Sequence, residues 1–275
     1  MKICLDAGHY GKYNQSPANR AYWESDFSWK FHLLLKAELE KYGVQVITTR
    51  TNKDIDLGLV ARGRKAAGCD LFLSLHSNAI GSGVSSTDYP LACCCVAGTA
   101  DVLGNDLAQT VQRVMQTRQP GRITKKRNSA GTGDWYSVLF GAAQVGVPGI
   151  LLEHSFHTNL RATNWLLDDS NLRKLAQAEA QTIAEYFGVT KPAEPEKPTD
   201  KPQEQPDGSF KVRVICDALN VRASAGVQYP VRMTVSRNEV YTIVQTARSS
   251  DGGTWGRLKS GAGWINIGAK YVKRV

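Results

Sequence analysis

Three short apolar segments of the chain lead into side chains that bind metals or move protons. The first ends in Asp-Ala-Gly-His9, the second leads to His76, and the third leads to Glu153. Each segment is too short for a helix and has the apolar character of a buried strand. Because active sites of open α/β sheets gather at the carboxyl ends of the strands, we expect these three side chains to meet.

Glu24 adds a second carboxylate, just before the first predicted helix. Two histidines and one glutamate form the three-ligand set of a hydrolytic zinc site that keeps one coordination position open. Each residue also has a structural alternative, since a lone histidine is usually structural and an acidic residue is common near a helix N-terminus. Together, His9, Glu24 and His76 predict a Zn²⁺ site and a zinc hydrolase.

The segments that must position these residues alternate between strand-like and helix-like patterns. Strands are predicted at residues 2–6, 44–49, 70–76, 91–97 and 149–153. Amphipathic spacing predicts helices at residues 27–42, 56–67, 101–117 and about 161–187. This alternation predicts an α/β fold with a mostly parallel sheet flanked by helices.

A linker is predicted between two domains. Residues 190–208 have a proline every three or four positions, charges of both signs and no apolar residue larger than alanine. Such a segment buries too little to fold, so we expect an extended spacer. We therefore place the domains at residues 1–188 and 210–275, with the linker at 189–209.

The second domain has a different pattern from the first. Short β-branched runs are separated by glycine, asparagine and serine turns, at residues 211–215, 239–245 and 263–267. This pattern predicts a small all-β barrel.

The formal net charge of +9 is concentrated in the second domain. Residues 1–188 carry +3, residues 189–208 carry −2 and residues 209–275 carry +8. A small basic module indicates an anionic partner, which is either nucleic acid or the surface of an anionic polymer.

The six cysteines are consistent with a reducing compartment. Three of them are consecutive, at positions 93–95. Alternate residues of a strand point to opposite faces, so this run cannot converge on one metal ion. We interpret these cysteines as small buried apolar residues.

The sequence predicts neither a membrane span nor a signal peptide. It has no apolar run of about 18 residues, the length that a spanning helix needs. The aspartate at position 6 leaves no room for an apolar segment before a cleavage site. We expect synthesis in the cytoplasm, with release by another route.

Six short motifs carry the candidate residues along the first domain in a characteristic order. They are Asp6-Ala-Gly-His9, Trp23-Glu24, Thr49-Arg50-Thr-Asn-Lys-Asp54, Leu59-Val-Ala-Arg62, Ser74-Leu-His76-Ser-Asn78-Ala and Glu153-His-Ser-Phe156-His-Thr-Asn159. In this order they resemble the zinc-dependent N-acetylmuramoyl-L-alanine amidases of the amidase-3 type, over essentially all of residues 1–188. The resemblance implies that His9, Glu24 and His76 hold zinc and that Glu153 is the catalytic glutamate.

Two positions depart from this family pattern. Tyr10 precedes Gly11 where the family often has a second glycine directly after the first histidine, and Ala67 stands where asparagine is usual. Neither change removes a ligand, so both concern packing or substrate fit.

The other histidines and two arginines are given mainly structural roles. His154 is expected on the opposite side of its strand from the preceding glutamate, and His157 could reach the rim of the cleft. His32 is expected on the surface or in packing within the first helix. Arg50 and Arg62 match family positions, where we expect them to hold loops and carboxylates in place.

The second domain carries two further motifs. Leu219-Asn-Val-Arg222 and Gly263-Trp264 are similar to those of bacterial SH3-like domains, over about residues 210–275. Such domains usually attach enzymes to cell walls. Trp255, Trp264, Tyr229 and Tyr241 could offer stacking surface. The alternative is that both tryptophans fill the barrel core, which we favour for Trp264.

The two resemblances imply a peptidoglycan hydrolase that cuts the amide between N-acetylmuramic acid and L-alanine on a Gram-positive cell wall. Without a signal peptide, a phage or prophage endolysin released through holin-type membrane holes is expected. A bacterial autolysin or sporulation-associated amidase is the alternative role. A zinc peptidase acting within the stem peptide and a non-catalytic wall-binding protein are the other classes considered. Basic and aromatic residues also suit nucleic acid, but beside an amidase domain we expect the cell wall and no nucleic acid.

Overall fold

The computed structural model describes residues 1–191, 208–250 and 252–275, and the chain divides into two compact units. The first unit contains the described residues up to 191, and the second contains those from 208 onward. Most of the predicted linker, residues 192–207, lies outside the described residues.

The first unit is built on a six-stranded sheet with the order β2-β1-β3-β6-β4-β5. The strands are β1 (Lys2–Ala7), β2 (Gln45–Thr48), β3 (Leu71–Asn78), β4 (Leu91–Cys94), β5 (Arg122–Thr124) and β6 (Gly149–Phe156). Strands β2, β1, β3 and β6 are parallel, as predicted, whereas β4 pairs antiparallel with β6 and parallel with β5. The sheet is therefore mixed, with the parallel part around the candidate site.

Helices cover both faces of this sheet. They are α1 (Glu24–Glu40), α2 (Leu59–Arg64), α3 (Asp101–Met115), α4 (Ser137–Ala143), α5 (Leu160–Leu167) and α6 (Asp169–Tyr186). Alternate residues of β1 and β3 enter two different cores: Ile3 and Leu73 face α1, α3 and α6, while Cys4 and Phe72 face α4. A sheet buried on both faces needs these near-continuous apolar strands.

The structure corrects the predicted ends of several elements. Strands β3 and β6 continue past His76 and Glu153, because their pairing resumes at Asn78 and Phe156 after an irregularity. The predicted helix at about 161–187 is two helices, because Asp168 interrupts it with extended backbone and caps α6.

The consecutive cysteines are buried, as predicted. Cys94 packs in the core on the α3 side of the sheet, and Cys93 packs in the core on the α4 side. Neighbouring thiols thus face opposite layers, and this geometry prevents them from sharing a metal ion.

The second unit is an antiparallel sheet with the order β13-β7-β10-β11-β12-β8-β9. Its described strands are β7 (Phe210–Val214), β8 (Ala218–Arg222), β9 (Val231–Ser236), β10 (Val240–Arg248), β11 (Thr254–Leu258), β12 (Trp264–Asn266) and β13 (Val272–Arg274). Its core consists of aliphatic side chains, among them Val214, Val221, Ile243 and Ile265. The unit is all-β, as predicted.

The core position favoured for Trp264 is wrong, and Trp255 is the more buried tryptophan of the second unit. Trp255 is 2% exposed, and its Nε1 donates to Ser249 Oγ at 3.0 Å, whereas Trp264 is only partly buried. Trp255 is therefore the more deeply buried of the two tryptophans. Tyr229 is exposed and Tyr241 is partly exposed.

No helix within the described ranges is both long enough and apolar enough to cross a membrane.

Candidate active site

Three side chains predicted as metal ligands converge in the first unit. His9 follows β1, Glu24 is the first residue of α1, and His76 lies in β3. His9 Nε2 is 3.1 Å from Glu24 Oε2, and His76 Nδ1 is 2.9 Å from Glu24 Oε1. One donor atom from each residue lies within 4.8 Å of the other two.

The turn after β1 has an unusual backbone that brings His9 and His76 together. His9 has a φ of 60°, in the left-handed region that few residues other than glycine adopt. A Cβ on the preceding Gly8 would lie 2.3 Å from His76 Cε1. Only glycine therefore leaves room for the imidazole of His76 above this turn.

Glu24 is surrounded by hydrogen-bond donors. Besides the two histidines, Asn14 Nδ2 donates to its Oε2 at 2.6 Å, and the Ser77 amide donates to its Oε1 at 3.1 Å. Burial by itself raises the pKa of this carboxyl, but hydrogen bonds from His76 and His9 outweigh that effect and hold its pKa well below the usual range. Glu24 is therefore kept charged.

This donor set suits a zinc ion. Two imidazole nitrogens and one ionised carboxylate oxygen are close enough to share a single ion. Zinc accepts this combination of nitrogen and oxygen ligands, with one further position left for water or substrate.

Glu153 lies beside this cluster on the neighbouring strand β6. It is the register partner of His76, and both residues line the same cavity of about 340 Å³. Its Oε2 is buried and has no hydrogen-bond partner among the described residues. Burial first, and then the charge of Glu24, raise the pKa of Glu153 well above its ordinary value. Glu153 is thus a carboxyl group suited to taking up and releasing a proton.

Several apolar side chains also line the cavity. They are Leu59 at the start of α2, Tyr136 and Val138 at the start of α4, and Leu151 of β6. A substrate in this cavity would meet both these apolar side chains and the polar cluster. Apolar walls with a few placed polar groups are typical of ligand sites.

Comparison with known proteins assigns this site to a family. The model of the amidase-3 family, described as N-acetylmuramoyl-L-alanine amidase, matches residues 3–185. The chain belongs to this family. It is therefore a peptidoglycan amidase.

Individual relatives agree with this family membership. An endolysin of Bacillus phage SPP1 is 29% identical over 281 residues, which cover 98% of this chain and 97% of the relative. The catalytic domain of CwlV, an N-acetylmuramoyl-L-alanine amidase from Bacillus (Paenibacillus) polymyxa var. colistinus, superposes with a TM-score of 0.57 at 21% identity, covering 69% of this chain and 99% of CwlV. Cwp6 from Clostridium difficile superposes with a TM-score of 0.59 at 22% identity, covering 67% of this chain and 29% of Cwp6. These two structures share the fold of the first unit.

Two other histidines of the amidase lie near the cluster. His154 is fully buried and faces away from the cavity, where its Nε2 is 2.9 Å from Glu179 Oε1 and its Nδ1 donates to the His76 carbonyl at 3.0 Å. The predicted position of His154, on the opposite side of β6 from Glu153, is confirmed. His157 lines the cavity, with its Nδ1 2.8 Å from the Ser77 carbonyl.

The remaining predicted residues of the amidase support the loops around the site. Arg50 and Arg62 both donate to the carbonyl of Ala7, at 2.8 and 3.1 Å, and so hold the end of β1 as expected. Arg62 also donates to the His9 carbonyl at 3.3 Å. His32 is buried beside Trp29 on α1, so it is a packing residue.

The part of the cavity formed by α4 was not predicted from the sequence. Residues 137–143 are a short apolar run without helical spacing, which does not separate a helix from a buried strand. Asn14 was also missed, since a single asparagine in a loop gives no signal until the fold brings it to Glu24.

Proposed function

We propose that this peptidoglycan amidase is zinc-dependent, with His9, Glu24 and His76 as the protein ligands and Glu153 as the general base. The convergence of three donor atoms beside Glu153, whose Oε2 is buried and has no partner among the described residues, carries this proposal. When bound, zinc would lower the pKa of water to about 7 and polarise the carbonyl of the scissile amide.

The residues of the chain supply the proton transfers. Glu153 accepts a proton from the attacking water and passes it to the departing amine of L-alanine. Its raised pKa makes it a stronger base than an exposed glutamate and a competent acid in the second step. The neighbouring Glu24 stays charged because of its donors, so the two carboxylates divide metal binding and proton transfer between them.

The second unit is proposed to be an SH3-like domain that holds the enzyme on a Gram-positive cell wall. Its all-β fold and its charge of +8 over residues 209–275 support this role. Exposed Tyr229 offers stacking surface, whereas Trp255 is buried and cannot.

The biological role we propose is that of a phage or prophage endolysin. The endolysin of Bacillus phage SPP1 aligns along both units and not only over the catalytic one. Such an enzyme is made in the cytoplasm and reaches the wall through holin-type holes or after lysis.

Mass spectrometry of products released from purified Gram-positive peptidoglycan tests this proposal. We expect stem peptides with a free L-alanine amine together with intact glycan strands, and no release when a chelator is present. Cleavage inside the stem peptide would instead identify a peptidase. Unchanged release in the presence of chelator would rule out the zinc site.

A further inference from the structure

We propose that a hydrogen-bonded chain from Asp6 through Ser74 to His76 fixes the tautomer of His76 and presents its Nδ1 to the zinc. This inference rests on the zinc site of the proposed function and adds two positioning residues to it. Asp6 and Ser74 lie behind the cluster, and neither lines the cavity.

The sheet register brings these three residues together. Ser74 and His76 are two positions apart on β3, so their side chains leave the strand on the same face. Asp6 of β1 is the direct register partner of Ser74. The chain of contacts is therefore built into neighbouring parallel strands rather than into a loop.

The carboxylate of Asp6 accepts hydrogen bonds at one end of this series, and this fixes the direction of the other bonds. Asp6 is fully buried, and its two carboxylate oxygens accept from Ser74 Oγ at 2.7 Å and from Thr49 Oγ1 at 2.6 Å. Arg62 Nη1 lies 3.6 Å from the same carboxylate. Because Ser74 gives its only hydroxyl proton to Asp6, its oxygen can only accept from His76.

The two ring nitrogens of His76 therefore have different roles. Nε2 lies 3.1 Å from Ser74 Oγ and must donate to it, so Nε2 carries a ring proton. Nδ1 donates to Glu24 Oε1 at 2.9 Å in the metal-free protein, and it is the nitrogen that would give up its proton and offer a lone pair to zinc. His9 uses the other nitrogen, since its Nε2 faces Glu24 Oε2 at 3.1 Å. The site therefore combines one Nδ1 ligand with one Nε2 ligand.

Nitrogen NMR of the full-length, zinc-loaded wild-type protein tests this tautomer assignment. With ¹⁵N-labelled histidine, we expect His76 to show a protonated Nε2 and a zinc-shifted Nδ1, and His9 to show a zinc-shifted Nε2. Zinc on Nε2 of His76 would contradict the proposed hydrogen bonds from Asp6 through Ser74 to His76, but not the zinc site itself. A protein that binds no zinc would overturn the site itself, so the two failures are distinguishable.

Substitution of Ser74 tests whether the hydrogen bonds from Asp6 through Ser74 to His76 strengthen zinc binding. Ser74→Ala should bind zinc about 10- to 100-fold more weakly in competition with a chromophoric chelator, as for other partners of metal-bound histidines. Ser74→Thr, which restores the hydroxyl, should recover most of the affinity. Ser28→Ala is the matched control, because Ser28 is equally buried and its Oγ has no partner among the described residues.

The variants give opposite outcomes for a positioning role and for simple packing. Wild-type zinc affinity in Ser74→Ala would overturn the proposal. So would an equal loss in Ser74→Ala and Ser28→Ala, since that result would mean that buried serines matter only for packing.

Discussion

At the residue scale, the site separates two carboxyl groups by their surroundings. Glu24 accepts hydrogen bonds from Asn14, Ser77 and both histidines, and these contacts hold its pKa low. Glu153 has no such donors at its Oε2, and burial raises its pKa. Opposite shifts in neighbouring groups are typical of sites in which one group binds and the other transfers protons.

Replacing Glu153 by glutamine should lower turnover sharply but leave metal binding intact. A general base contributes about 10²- to 10⁴-fold to rate, so we expect a loss of that order in kcat. The variant should also unfold at a temperature no lower than the wild type, because it removes a buried carboxyl that Glu24 repels. Zinc content, turnover and thermal unfolding measured on one preparation would check all three points. Wild-type turnover would refute the role of Glu153.

Adding a methyl group at Gly8 should displace His76. The new Cβ would lie within 2.3 Å of the imidazole, so the ring must rotate away from Glu24. We expect zinc affinity to fall by about tenfold or more, as it does when a metal-bound histidine loses its orientation. Gly58→Ala is the control, since a Cβ there meets nothing within 4 Å. Equal zinc affinity in the two variants would contradict the packing argument.

At the element scale, the sequence predicted the elements that carry the proposed ligands better than those that shape the cavity. The apolar runs of β1, β3 and β6 are unmistakable because both faces of the sheet are buried. Their ends were misplaced because the pairing of β3 with β6 resumes at Asn78 and Phe156, a tertiary effect without a local signal. The antiparallel direction of β4 is likewise set by packing and not by composition.

Asp168 caps the N-terminus of α6, and removing its side chain should lower the stability of the first unit measurably. Asp168 Oδ1 accepts from the amides of Ser170 and Asn171, at 2.8 and 3.0 Å. Asp168→Ala should therefore lower the free energy of unfolding by about 0.5–2 kcal/mol. Asp169→Ala, which removes only an exposed ion pair with Lys30, should cost less. Chemical denaturation of both variants would check the order, and the reverse order would contradict the cap.

Helix α1 gives the first unit a pH-dependent stability through His32. Burial lowers the pKa of His32 from 6.5 to about 4, and of the charged groups nearby Arg50 lowers this pKa while Asp6 raises it. The unfolded chain therefore binds a proton below pH 6.5 that the folded chain does not, so stability falls as the pH drops from 6.5 to about 4. The contribution is at most about 3 kcal/mol.

The variant His32→Gln isolates this effect from other titrating groups. Since glutamine stays neutral, the variant should lose less stability than the wild type over this pH range. Denaturation curves at several pH values would show the difference. Parallel loss in the two proteins would mean that His32 does not contribute.

At the scale of the whole molecule, the chain combines a nearly neutral catalytic unit with a basic one. Residues 1–188 carry +3, whereas residues 209–275 carry +8. The composition of each part made this division visible in the sequence. The burial of individual tryptophans was not visible, because it depends on the tertiary packing around each side chain.

Removing residues 189–275 should separate wall retention from catalysis. We expect the truncated protein to hydrolyse soluble muropeptides as the full chain does, because the ligand cluster and Glu153 lie within the first unit. Its retention on purified Gram-positive walls should be lost, and retention of the full chain should weaken as salt screens the basic unit. A truncated protein that still pellets with walls would contradict this division of roles.

The most direct test of the zinc site is a titration of the metal-free amidase. The protein is stripped with chelator, zinc is added back in known amounts, and metal content and muropeptide turnover are measured on the same samples. We predict no turnover without metal and a linear rise that stops at one zinc per chain, because the donor atoms of His9, Glu24 and His76 are close enough to share one ion. Full turnover by the metal-free protein would contradict the proposed zinc dependence.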